Sequence, residues 1–278
     1  MGQYASAERY LLQAVVIRAS SLGEEHTDTL TSMNNLASTF GNQGRWKEAE
    51  EIGVQVLDIS KRVLGEENIN TLISMNNLAF LYRKQGRSKE AEEIHVQALD
   101  ISKRVLGEEH PATLTSMNNL AVTYKDQGRS KEAEEIEVKV LDIRKRVLGE
   151  EHPQTLTSMN DLASTYQDQG RLDEAEEIGV QVLDIRKRVL GEEHPHTLTS
   201  MNNLANTWKD QGRRKDALQL MRECLGHRKR CLGSDHPDTE SSSALIVEWE
   251  EEDSSENNEA LSTKEDEYGH GLEESDII

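Results

Sequence analysis

The chain has 278 residues, of which 35% are hydrophobic, only 4% aromatic and 30% charged, with a mean hydropathy of −0.72. That balance is too thin for a globule around one central core and fits either disorder or a structure slender in cross-section. The net charge of −20, with no basic stripe, argues against nucleic acid or an anionic membrane as ligand.

Residues 1–21 (MGQYASAERYLLQAVVIRASS) carry no basic leader and no small-residue cleavage site, so no signal peptide is expected. They read as the second helix of a half repeat. The run Leu11-Leu12-Gln13-Ala14-Val15-Val16-Ile17 starts it without a polar cap, which predicts self-association or a missing neighbour. From Leu22 a 42-residue unit recurs five times, at 22–63, 64–105, 106–147, 148–189 and 190–231. The third and fourth copies differ at only eight positions, so shared structure is beyond doubt from self-comparison alone.

Each unit holds two helical patterns. In the first, Met33, Leu36, Ala37 and Phe40 fall on one face at i, i+3, i+4 and i+7. Thr29 or Asp28 stands where an N-cap is expected, preceded by proline in three units (Pro111, Pro153, Pro195). The helix is expected to stop at Gly44 and its equivalents. The second pattern, KEAEEIGVQVLDISKRV, places Ala49, Ile52, Val56, Ile59 and Val63 on one stripe, with glutamates at its start and Lys61-Arg62 at its end. A hairpin this small cannot bury its stripe alone, so neighbours must stack: an all-α solenoid of antiparallel helical hairpins. Residues 232–250 are expected to form a capping helix, and 251–278 a disordered acidic tail. From Asp238 onward 15 acidic residues stand against one lysine, Lys264; that segment holds −14 of the total charge.

The positions Met33-x-x-Leu36-Ala37-x-x-Phe40, Gly44 and Ala49 resemble the tetratricopeptide pattern, and so do Leu78-Ala79-x-x-Tyr82 with Ala91 and Leu120-Ala121-x-x-Tyr124 with Ala133. The long period, with NNLA, QGR, EAE and LGxxHP in each unit, is similar to kinesin light chain repeats and to fungal kinesin-light-chain-like and nephrocystin-like arrays. The resemblance implies a right-handed superhelix and a non-catalytic scaffold that binds a protein or extended peptide on its concave face. It leaves two alternatives open: a cargo adaptor for a microtubule motor, and the ligand-sensing segment of a larger protein with a nucleotide-binding domain.

In such arrays the first helix of each hairpin lines the groove, here near Thr31, Asn34, Asn35, Ser38 and Asn42. The recurring Asn34, Asn76, Asn118, Asn160 and Asn202 could pair with a peptide backbone, since an amide both donates and accepts. The bland alternative makes them bridges between helices. Specificity is expected where units differ: Phe80 and Val122 beside Arg83, Lys84 and Lys125 suit an acidic peptide with one large apolar residue, and Lys209 is a further groove cation. Trp249, among acids from Val247 to Asp253, either ends the capping helix or docks in the groove as a pseudo-ligand.

No cofactor or metal is expected. His26, His110, His152, His194 and His236 recur in inter-hairpin loops, too far apart for shared zinc ligation. Cys224 and Cys231 take the places of Val56 and Val63, which reads as small core residues in a reducing cytoplasm. The recurring Glu50-Glu51 read as solvated helix-end charges. No GxxxxGK[ST], GxSxG, HExxH or GxGxxG occurs, and no apolar run nears the roughly 20 residues of a membrane span.

Overall fold

A computed structural model describes residues 2–252, and every regular element among them is an α-helix. They are α1 (Gly2–Leu22), α2 (Thr27–Asn42), α3 (Trp46–Leu64), α4 (Ile69–Lys84), α5 (Ser88–Leu106), α6 (Pro111–Asp126), α7 (Ser130–Leu148), α8 (Pro153–Asp168), α9 (Leu172–Leu190), α10 (Pro195–Asp210) and α11 (Arg214–Cys231). A twelfth helix, α12, covers 237–252. The tail expected to be disordered lies, from residue 253, outside the described residues. The chain falls into two compact units, one ending at Ser158 and the other beginning at Met159.

Helix starts are set by a residue other than the one the pattern suggested. The N-cap of α2 is His26, whose Nδ1 accepts from the Asp28 N–H at 3.1 Å. His110, His152, His194 and His236 do the same for their helices at 3.2 Å. Asn68 replaces histidine before α4 because its Oδ1 supplies an equivalent acceptor, 2.9 Å from the Asn70 N–H. In α6 and α10 proline then occupies the first helical position, where a missing N–H costs nothing. Thr29 is no cap: its hydroxyl donates to the Gly23 carbonyl at 2.8 Å, as Thr71, Thr113 and Thr197 do to Gly65, Gly107 and Gly191.

Helix ends follow the glycines. α2 stops at Asn42, Gln43 is its cap, and Gly44 takes φ +76°, a left-handed conformation that a side chain would strain. The Arg45 N–H then reaches the Phe40 carbonyl at 2.9 Å and Gly44 N–H the Gly41 carbonyl at 3.0 Å, which ties down the last-turn carbonyls.

Within each unit consecutive helices pack against one another, and the first helices α2, α4 and α6 also touch in sequence. Leu30 and Met33 meet Val56 and Ile59, and Leu72 and Met75 meet Ala98 and Ile101. Each of these buried side chains larger than alanine is worth about 1.5–3 kcal/mol. The stripe on the second helix runs Ala49-Gly53-Val56-Ser60 and ends at Leu64, not at Val63. Val63, Val105, Val147 and Val189 therefore face solvent, 41–51% exposed. The same offset separates the two cysteines: Cys224 is fully buried, while Cys231 is exposed and not a core residue. Burial pushes the Cys224 thiol pKa up.

In the second unit α12 seals the last hairpin. Ile246 and Trp249 join Leu198, Met201, Leu218 and Met221 in one cluster, Trp249 being 2% exposed. The indole is thus committed to the core and is not a groove ligand. The capping helix covers 237–252 where 232–250 was expected, its start set by His236, which caps it.

Candidate functional site

The face that first helices leave uncovered is built from a strip at alternating steps of four and three residues. On α2 it reads Thr31, Asn35, Ser38 and Asn42; on α4, Ile73, Asn77, Phe80 and Lys84; on α6, Thr115, Asn119, Val122 and Asp126. Only α4 carries two large apolar side chains on it, Ile73 at 47% exposure and Phe80 at 39%. Two cations lean over the Phe80 ring: the Arg83 guanidinium 5.4 Å and Lys84 Nζ 5.6 Å from its centroid. Such contacts stabilise by about 0.5–1 kcal/mol at an exposed site. Arg83 also pairs with Asp126 at 3.0 Å, which fixes its head between α4 and α6. The structure therefore brings Phe80, Arg83 and Lys84 together. Val122 and Lys125 are half-buried on α6. Lys209, in the other unit, belongs to a different setting: it pairs with Glu252 at 3.1 Å and lies 5.7 Å above Trp249.

The asparagine row is placed differently from the strip. Asn34 is buried, and its amide donates to Ser74 on α4 at 3.0 Å. Asn76 likewise donates to Ser116 on α6 at 3.2 Å, and its Oδ1 accepts from Asn119 at 3.3 Å. Asn160 accepts from the Arg186 guanidinium at 2.7 and 3.0 Å. Asn118 and Asn202 are half-buried. The amide or guanidinium chosen depends on one second-helix position. Where it is Arg144, Arg186 or Arg228, the arginine reaches the serine of the following first helix (Ser158, Ser200, Ser242) at 2.5–2.8 Å. Where it is Ser60 or Ser102, the asparagine reaches that serine instead. The outward members of the pairs, Asn35 and Asn203, are the exposed ones.

The QGR and EAE runs explain each other. Arg87 stacks on Tyr82 at 4.0 Å, pairs with Glu90 of its own second helix, and donates to Glu50 of the preceding one at 2.7 Å. Gln85 donates to Glu50 as well, at 3.2 Å. Arg129 and Gln127 repeat this on Glu92, and Arg213 and Gln211 on Glu176. Glu50 is thus a tie between hairpins, not a solvated charge. The Arg87 guanidinium holds the Glu90 carboxyl below its ordinary pKa.

Reading α4 by sequence found Phe80, Arg83 and Lys84 but missed Ile73. The available signal was an isoleucine where Thr31, Thr115, Thr157 and Thr199 stand in the other units. Among the described residues no group of three or more His, Cys, Asp or Glu could hold a metal, and no helix is long and apolar enough to cross a membrane.

Tetratricopeptide repeat models match residues 1–62, 38–103 and 70–146, and a second such model matches 155–196 and 197–238. The chain is similar to a solved Podosopora anserina protein described as a kinesin light chain with nearly identical TPR-like repeats. Identity is 33% over 74% of this chain and 98% of that one, with a TM-score of 0.64. A single-substitution form of that same protein matches at 33% identity over 74% and 97%, TM-score 0.65. BtubC (BKLC) from P. vanneervenii, at 23% identity over 84% and 92% and a TM-score of 0.67, shares the fold. Among curated proteins none matches. With paired helices at a 42-residue period, buried Leu and Ala at the stripe positions and family models spanning most of its length, the chain belongs to the tetratricopeptide repeat family, whose members are generally non-catalytic protein-binding scaffolds.

Proposed function

We propose that this protein is a non-catalytic adaptor that captures an extended acidic peptide on the α4 strip, with one large apolar side chain of the peptide against Ile73 and Phe80. The observation that carries the reading is the pair of exposed apolar side chains under two cations, found on α4 and on no other first helix described. Apolar contact would supply affinity and Arg83, Lys84 and Lys125 the preference for acid. Motor-cargo linkage and ligand sensing both need this same step. The reading sets the protein in the cytoplasm, where its two free cysteines stay reduced.

Anisotropy of a labelled peptide with one leucine or tryptophan among aspartates tests it. Phe80→Ala and Lys84→Glu should each weaken binding about tenfold or more, a loss near 1.4 kcal/mol, and binding should weaken with added salt. Equal affinity for a lysine-flanked peptide sinks the reading.

A second surface supports self-association. Tyr10, Val16 and Ile17 on α1 are 62%, 64% and 56% exposed, although Ile59, Ile101, Ile143 and Ile185, the counterparts of Ile17, are 5–8% exposed.

A further inference from the structure

One second-helix position recurs in the five repeats as Gly53, His95, Glu137, Gly179 and Met221. Apart from the buried Glu137, each lies against a first-helix position of the next hairpin, Leu81, Thr123, Thr207 and Trp249 respectively. Three of these four places are filled, each differently. Leu81 fills the first from the first-helix side: a Cβ added at Gly53 would stand 3.5 Å from Leu81 Cδ1, and one at Gly41 only 2.8 Å from Leu81 Cδ2. His95 fills the second, its ring buried and its Nδ1 2.9 Å from the Thr123 hydroxyl. Met221 and Trp249 fill the last, both in the core of the second unit.

At Gly179 and Thr207 neither partner is large, and a cavity of about 220 Å³ remains, walled by Asn160, Ser164, Gln167 and Asn206 besides these two. An apolar cavity of about 150 Å³ holds benzene, whereas drug-sized ligands need about 300–1,000 Å³. The space therefore suits one ring, not a cofactor. Its walls hold amides, hydroxyls and aliphatic carbon but no ionised side chain. A buried ion would lose its hydration there without a counter-charge. Gln167 is held at the mouth by Asp210, 2.5 Å from its amide, which disfavours an acidic guest further.

We propose that this cavity is a binding pocket for an uncharged ring with one polar edge, supplied by a side chain of a bound peptide, with neutral histidine the model guest. The guest takes the place that the His95 ring occupies in the first unit, and its ring nitrogen meets the Thr207 hydroxyl as His95 meets Thr123. The proposal extends the groove reading to the second unit, but a small probe tests it whether or not any peptide binds α4.

The probe is 4-methylimidazole, the histidine side chain cut free, titrated into the full-length chain while backbone amide NMR signals are followed. At pH 8 the expected result is saturable shifts centred on Ala163, Gly179 and Thr207, reduced at least tenfold at pH 5.5, where the probe is a cation. Gly179→His, which repeats the α5 arrangement, should abolish them. A Cβ at Gly179 would lie 3.2 Å from Leu204, so Thr207→Leu, which fills the place as Leu81 does, is the second blocking variant. Both should leave helicity unchanged. The proposal is overturned if no signal near Gly179 moves at 50 mM probe, if the shifts persist in the folded blocking variants, or if the protonated probe binds equally well.

Discussion

His95 is a histidine that the fold keeps neutral. Burial, and then the nearby Arg83 cation, lower its pKa from 6.5 to about 4. The sign follows from which state holds more protons. Between these values the unfolded chain is protonated and the folded chain is not, so stability rises with pH across that window. The contribution is complete above about pH 6.5 and disappears as pH falls towards 4, a difference of about 3 kcal/mol. His95→Gln removes the titration. In urea melts the native chain should lose about 3 kcal/mol more than this variant between pH 7 and 4; parallel loss in both would refute the assignment. None of this was legible beforehand, because the period shows that His95, Gly53 and Gly179 are equivalent but not what stands opposite them. The opposing residues lie 28 positions further along, and only packing discloses the pairing.

At the scale of the helix, sequence and structure agree where the cause is local. The i, i+3, i+4, i+7 stripe of α2 is buried as its period requires, with Leu36 and Ala37 at 3% and 2% exposure. Gly44 ends the helix for the conformational reason glycine is used there. The misassigned caps show the limit of that logic, since threonine is the more usual cap but its hydroxyl is claimed by the glycine carbonyl six residues earlier. Histidine serves through a ring nitrogen, a rarer acceptor, and the exchange for Asn68 was the clue in the chain itself. A direct expectation follows. His110→Asn should leave thermal stability unchanged, because it copies the start of α4. His110→Ala should cost about 1 kcal/mol, or about 2–4 °C in a protein of this size, measured by calorimetry. Equal losses would show that the ring acts through something other than its acceptor. The asparagine row was readable as a periodic feature, but its partners, Ser74 and Ser116, are 40 residues away.

The first and last described helices differ in the face they turn to water. α12 holds Glu240, Ser243 and Glu250 where α10 has Leu198, Met201 and Trp208, so the side it would turn to a further second helix is polar. This is how solenoids keep a terminal repeat soluble. α1 has no such replacement: it keeps Ile17 where Ile59 stands in α3, and adds Val16 where Asp58 stands. Ile59, which α2 covers on α3, has its counterpart Ile17 left bare on α1, and with Tyr10 and the added Val16 it is more than half exposed. An uncovered apolar stripe of this kind drives association of like surfaces, because each exposed aliphatic side chain removed from water contributes of the order of 1 kcal/mol or more. Light scattering across a hundredfold concentration range should therefore show a mass that grows with concentration. Val16→Glu with Ile17→Lys, both at exposed positions, should hold the protein at monomer mass without lowering its helicity. The same concentration dependence in the double variant would show that another surface brings the copies together.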